Sequence, residues 1–69
     1  MQIIHHTKAD LLYIRFDERK KQVINRQICE GIVLDIGEKD RIVGIEILDA
    51  SKHLDLEKLL PVEYKVSSA

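Results

Sequence analysis

The chain has 69 residues, 11 Lys and Arg against 12 Asp and Glu, and a formal net charge of -1. That length holds one domain, and charge spread this evenly excludes the one-sided positive field that nucleic acids and anionic membranes select. Hydrophobic residues make up 45% and aromatics 4%, so the core is small and aliphatic, and self-association is a natural source of further stability.

Gln2 to His5 opens as a short strand, and the polar run Thr7-Lys8-Ala9-Asp10 turns the chain. Leu11 to Phe16 has the length and composition of a second strand, with Leu12, Ile14 and Phe16 on one face and Leu11, Tyr13 and Arg15 on the other. Asp17 to Gln22 is a charged loop with nothing apolar to bury. Val23 to Cys29 is a third strand, with Ile24 and Ile28 inward and Asn25 and Gln27 outward. Arg26 breaks its inner row, the mark of an edge strand or a bulge.

A hairpin over residues 31–48 follows. Ile32, Leu34 and Ile36 form the inner row of its first strand, and Asp35 points outward. The loop Gly37-Glu38-Lys39-Asp40 reverses the chain on a glycine expected at positive φ. Val43, Ile45 and Ile47 form the inner row of the returning strand, with Gly44 and Glu46 outside. Asp49 or Ser51 is placed to cap a helix carrying the stripe Leu56, Leu59, Leu60, which Pro61 ends. The fold class is α+β: a mostly antiparallel sheet of about five short strands and one short C-terminal helix. Residues 1–61 form a single compact β-rich domain, and residues 62–69 a C-terminal tail.

The outer face carries Leu11, Tyr13, Val23, Val33, Ile42 and Leu48 among its polar residues. One short helix covers one face only, so the other is expected to be covered by a second copy, with Leu11, Tyr13, Val33, Ile42 and Leu48 as interface candidates. An 8.0 kDa globule exposes roughly 4,400 Å², of which an ordinary patch of ~800 Å² is nearly a fifth. Scattered surface aliphatics are the plainer reading.

Motifs for chemistry are few. His5 and His6 are adjacent and point to opposite strand faces, and neither His53 nor Cys29 stands at ligand spacing, so no metal or other cofactor is expected. Cys29 ends a strand, where a free cysteine behaves as a small hydrophobe. A lone cysteine with no leader-like stretch ahead of it points to a reducing cytoplasm. No apolar run approaches the ~20 residues of a membrane helix. Asp35 and Glu46 are the best acid-base candidates, both outward on neighbouring strands, and they read more simply as solubilising residues of a sheet face. Arg19-Lys20-Lys21 is the one basic cluster, preceded by Asp17 and Glu18, and reads as a solvated hairpin tip.

The pattern Asp10-x-Leu12-Tyr13-Ile14-Arg15-Phe16, then Gly31-x-Val33-x-Asp35, then Arg41-x-Val43-Gly44-Ile45-Glu46-Ile47-Leu48-x-Ala50-Ser51 resembles the small prokaryotic family catalogued as domain of unknown function 2283. The resemblance covers about residues 2 to 54. It departs where the family usually has an aromatic before its first turn and this chain has His5 or His6. It implies a compact β-rich domain with no assigned activity, loosely associated with gene neighbourhoods that hold small toxin-like proteins. The shared Asp10, Tyr13, Arg15, Asp35, Gly44 and Glu46 then serve either as a polar surface constellation or as turn and sheet requirements.

Two functional readings follow. The first is a non-enzymatic homo-oligomer, dimer or larger, that binds a protein partner through its outer face or an edge strand, antitoxin-like in its concrete form. The second is a small-ligand or minor catalytic site in which Tyr13, Arg15, Asp35 and Glu46 converge at an oligomer interface. A concave pocket holding those groups favours the second, and a flat apolar face the first.

Overall fold

The computed structural model describes residues 1–18 and 22–68, so Arg19-Lys20-Lys21 lies outside the described residues. Five strands form one antiparallel sheet: β1 (Gln2–His6), β2 (Leu11–Arg15), β3 (Ile24–Cys29), β4 (Ile32–Ile36) and β5 (Ile42–Ile47). Their order across the sheet is β1-β2-β5-β4-β3. Three strand pairs are hairpins, and β5 returns from β4 to lie against β2, which joins the two halves of the chain into one sheet.

Residues paired across strands share a face. Ile3, Ile14, Ile45 and Leu34 make one transverse row, and His5, Leu12, Ile47 and Ile32 the next on the same side. This is the core face. Leu12 and Ala50 are fully buried with Ile47 beside them, and Leu54, Leu56 and Leu59 pack down from the C-terminal segment. Each fully buried aliphatic is worth about 1.5–3 kcal/mol, so so small a cluster leaves the fold modestly stable.

The C-terminal segment differs from a single helix. It is a four-residue helix, α1 (Ala50–His53), an extended Leu54, and a 3-10 turn over Leu56–Lys58. Asp55 accepts a hydrogen bond from the Glu57 N–H at 3.1 Å, so its side chain starts a new turn where the helix would have continued. Leu54 takes the place in the core expected for Leu60, which is 71% exposed.

Two bulges set the faces. Between Gln27 and Cys29 the register of edge strand β3 shifts, the bulge and edge position that Arg26 signalled. The second lies in β5, where Asp35 pairs with Gly44 but Ile36 pairs with Ile42. Val43 is the extra residue, and its carbonyl accepts from both the Phe16 and Asp17 amides at 2.7 and 3.1 Å. The expected inner row Val43, Ile45, Ile47 therefore breaks. Val43 lines the outer face, while Ile42, expected outside, joins Ile36 and Ile24 in a row on the core face. A period-two reading misses this because one extra residue inverts every side chain beyond it.

The loop before β5 also differs in detail. Gly37 has φ -93, and Lys39 and Asp40 take positive φ in its place. A Cβ at Gly37 would meet Val43 Cγ2 at 2.8 Å, so the glycine serves the close approach of the bulge.

Candidate functional site

On the outer face the register builds two polar rows. Gln2, Arg15, Gly44, Asp35 and Asn25 cross all five strands in one line, and Ile4, Tyr13, Glu46, Val33 and Gln27 form the next. Tyr13, Arg15, Asp35 and Glu46 thus stand together, and all four line one open hollow of ≈ 550 Å³. Its apolar lining is Ile4, Leu11, Val23 and Val43.

Gly44 is the floor. A Cβ there would stand 2.6 Å from Tyr13 Cζ and 2.7 Å from Cε1, so the Tyr13 ring lies directly across the glycine. This is the close approach that an unsubstituted residue in a central strand permits. The Arg15 guanidinium sits over the same ring, 5.7 Å from its centroid, and its Nη1 donates a long 3.4 Å hydrogen bond to Gln2 Oε1. Arg15 Nε is buried and unpartnered, and among the described residues no carboxylate pairs with the guanidinium.

On the other side of Gly44, Asp35 is only 8% exposed and its buried Oδ1 has no hydrogen-bond partner. Glu46 lies beside it. The hydrogen bond between the two side chains, partial burial and the Asp35 charge together hold the Glu46 carboxyl above its ordinary value of 4.5. Among the described residues the pair is an acidic site without a cation, facing an arginine without an anion.

A second polar cluster escapes sequence reasoning. Asp10 takes φ 51 at the end of the β1–β2 turn, and its backbone oxygen accepts from the Ala50 N–H at 2.9 Å. Its Oδ2 accepts from the Ser51 hydroxyl at 2.6 Å and the Ser51 N–H at 3.1 Å, while Oδ1 lies 3.2 Å from His5 Nε2. The start of α1 is therefore capped from 41 residues away, and neither Asp49 nor Ser51 caps it. The Ser51 hydroxyl, then His5, hold the Asp10 carboxyl below its ordinary value of 3.8. The order serine–aspartate–histidine puts the carboxylate in the middle, so His5 is not placed to activate Ser51. The sequence signal was an aspartate at the close of a tight turn, but its partner is set by tertiary packing.

The other candidates separate. His5 pairs with Leu12 on the core face, and His6 with Leu11 on the outer face, where it also lines the hollow. Cys29 is exposed. Among the described residues no three His, Cys, Asp or Glu side chains group as a metal site, and no helix is long and apolar enough to cross a membrane. Of the interface candidates, Leu11, Tyr13 and Val33 lie on the outer face by register, Leu48 is 46% exposed just after β5, and Ile42 lies on the opposite face.

Residues 3–51 match the family described as Protein of unknown function (DUF2283). That is well over half of the chain, and the chain belongs to this family. A putative hypoxanthine phosphoribosyltransferase of Methanosarcina mazei is 62% identical over 29 residues, which are 42% of this chain and 24% of that protein. The match spans about a quarter of that relative's length. No solved structure matches the chain.

Proposed function

We propose that this member of the DUF2283 family is a non-enzymatic, self-assembling interaction domain; the outer-face hollow that gathers Tyr13, Arg15, Asp35 and Glu46 favours a small-ligand site as a second reading, compatible with the first because it lies on the opposite face. The observation that supports the first reading is the row Ile24–Ile36–Ile42 on the core face, which lies outside the cluster that the C-terminal segment covers. Ile24 is 67% exposed and Ile42 47%. Apolar area of this kind next to a core is what association removes from water.

The size of the exposed surface agrees. The chain exposes 6018 Å², against roughly 4,400 Å² for a compact globule of its mass. Its exposed segment over residues 61–68 accounts for part of the excess, and an interface of about 800 Å² per protomer fits within it. This reading puts the interface on the core face beyond the C-terminal segment rather than on the outer face. The antitoxin-like role, masking a toxin with the same apolar row, is the heteromeric form of this reading. The name of the curated relative transfers no activity, because the match covers only 24% of that protein.

Native mass spectrometry of the protein isolated from its own host tests the reading. A homo-oligomer, or a complex with a second protein, supports it. A monomer at every concentration up to about 100 μM overturns it, since a functional interface of this size class binds more tightly than that.

A further inference from the structure

The outer face carries a site that self-assembly through the opposite face does not use. Arg15 and Asp35 occupy one transverse row with Gly44 between them. With strands about 4.8 Å apart, their α-carbons stand about 10 Å from each other across the floor. Opposite charges at such neighbouring positions ordinarily neutralise each other. Here they do not: Arg15 is turned onto the Tyr13 ring, and Asp35 keeps an unpartnered Oδ1 while more than nine-tenths buried. A carboxylate oxygen removed from water without a donor is costly, and that cost is relieved by whatever brings the donor.

Metal binding does not meet the need. The pair Asp35 and Glu46 has no third acidic, histidine or cysteine ligand grouped with it among the described residues. An ammonium group meets it, because it brings several donors and a positive charge to two carboxylates, one of which already holds its proton more tightly than usual. At the other end the guanidinium offers terminal N–H donors to a carboxylate. Between them lie an aromatic ring and the aliphatic side chains of Ile4, Leu11 and Val43. A hollow of ≈ 550 Å³ falls in the size range of small-molecule sites.

We propose that the outer-face hollow binds a small zwitterion of the α-amino-acid type, its ammonium on Asp35 and Glu46, its carboxylate on Arg15, and its apolar body on Tyr13 and the aliphatic lining. The site would make the domain a sensor or carrier for such a molecule, and it stands whether or not the chain self-assembles.

The test is a backbone NMR titration of the full chain with three molecules that share one aliphatic body. L-leucine carries both charges, leucinamide lacks the carboxylate, and 4-methylpentanoate lacks the ammonium. L-leucine is expected to shift the amides of Tyr13, Arg15, Asp35, Gly44 and Glu46 at concentrations up to about 10 mM, with both partial analogues at least about tenfold weaker. Arg15→Gln should abolish the preference for L-leucine over leucinamide, and Asp35→Asn the preference over 4-methylpentanoate, in variants whose spectra show the fold retained. No shift along the row, equal binding of all three molecules, or either preference surviving its variant overturns the proposal.

Discussion

Two carboxylates in this small domain are displaced in opposite directions, and each leaves its own mark on stability. Asp10 is held ionised by Ser51 and His5, so the fold binds fewer protons there than the unfolded chain. Its contribution is present above the ordinary value of 3.8 and is lost as pH falls through the lowered value. Asp10→Asn is expected to lower the melting temperature at neutral pH and to flatten the acid limb of the stability curve, measured by circular dichroism. Glu46 is the reverse case. Its carboxyl is raised, so between 4.5 and the raised value the folded chain holds more protons than the unfolded one, and stability falls as pH climbs through that window. Glu46→Gln keeps a donor for Asp35 and removes a crowded charge. The variant is expected to be more stable than the natural chain at neutral pH and to lose the slope just above 4.5, which urea titrations at several pH values would show.

At the scale of elements, strands were legible where side chains alternate without interruption. Leu11 to Phe16 gave the faces of β2 and its span but for Phe16, which lies past the strand and is 47% exposed, and Arg26 on the inner row marked the edge strand and its bulge. Tyr13, Arg15, Asp35 and Glu46 were likewise legible as one constellation, because strand parity put them on one side and β2, β5 and β4 are neighbours. The bulge at Val43 was not legible. Its cause is the fit of β5 between two partners, and no local composition marks which residue is extra. Nor was the cap on α1, since Asp10 and Ser51 meet only after the sheet has formed.

The contact between Gly44 and Tyr13 gives a sharp element-level prediction. Gly44→Ala forces the ring off the floor and should cost about 1–3 kcal/mol, as overpacking does. Tyr13→Ala in the same chain removes the obstruction, so the double variant should be more stable than the summed single losses predict. A chemical-denaturation cycle reads this directly, and simple additivity would show that ring and glycine do not compete for one space.

For the molecule as a whole, a single sheet with one partly covered face leaves a thin structure. The radius of gyration is 13.2 Å, where about 11 Å is usual for this length. The β3 edge gives no easy route to assembly. β3 is exposed along its whole length, but Arg26 on its core side and the bulge at Gln27–Cys29 blunt it against strand addition. Assembly by sheet face, as proposed above, would cover Ile24, Ile36 and Ile42 without touching the charged hollow on the other side.

Sedimentation velocity over a wide range of protein concentration, comparing the natural chain with Ile24→Lys, tests this account most directly. Ile24 is exposed at the sheet edge, so the substitution should leave the fold and its β content unchanged. The natural chain is expected to sediment as a dimer or larger species and the variant as a folded monomer. A natural chain that stays monomeric throughout, or a variant that assembles as well as the natural chain, would contradict it.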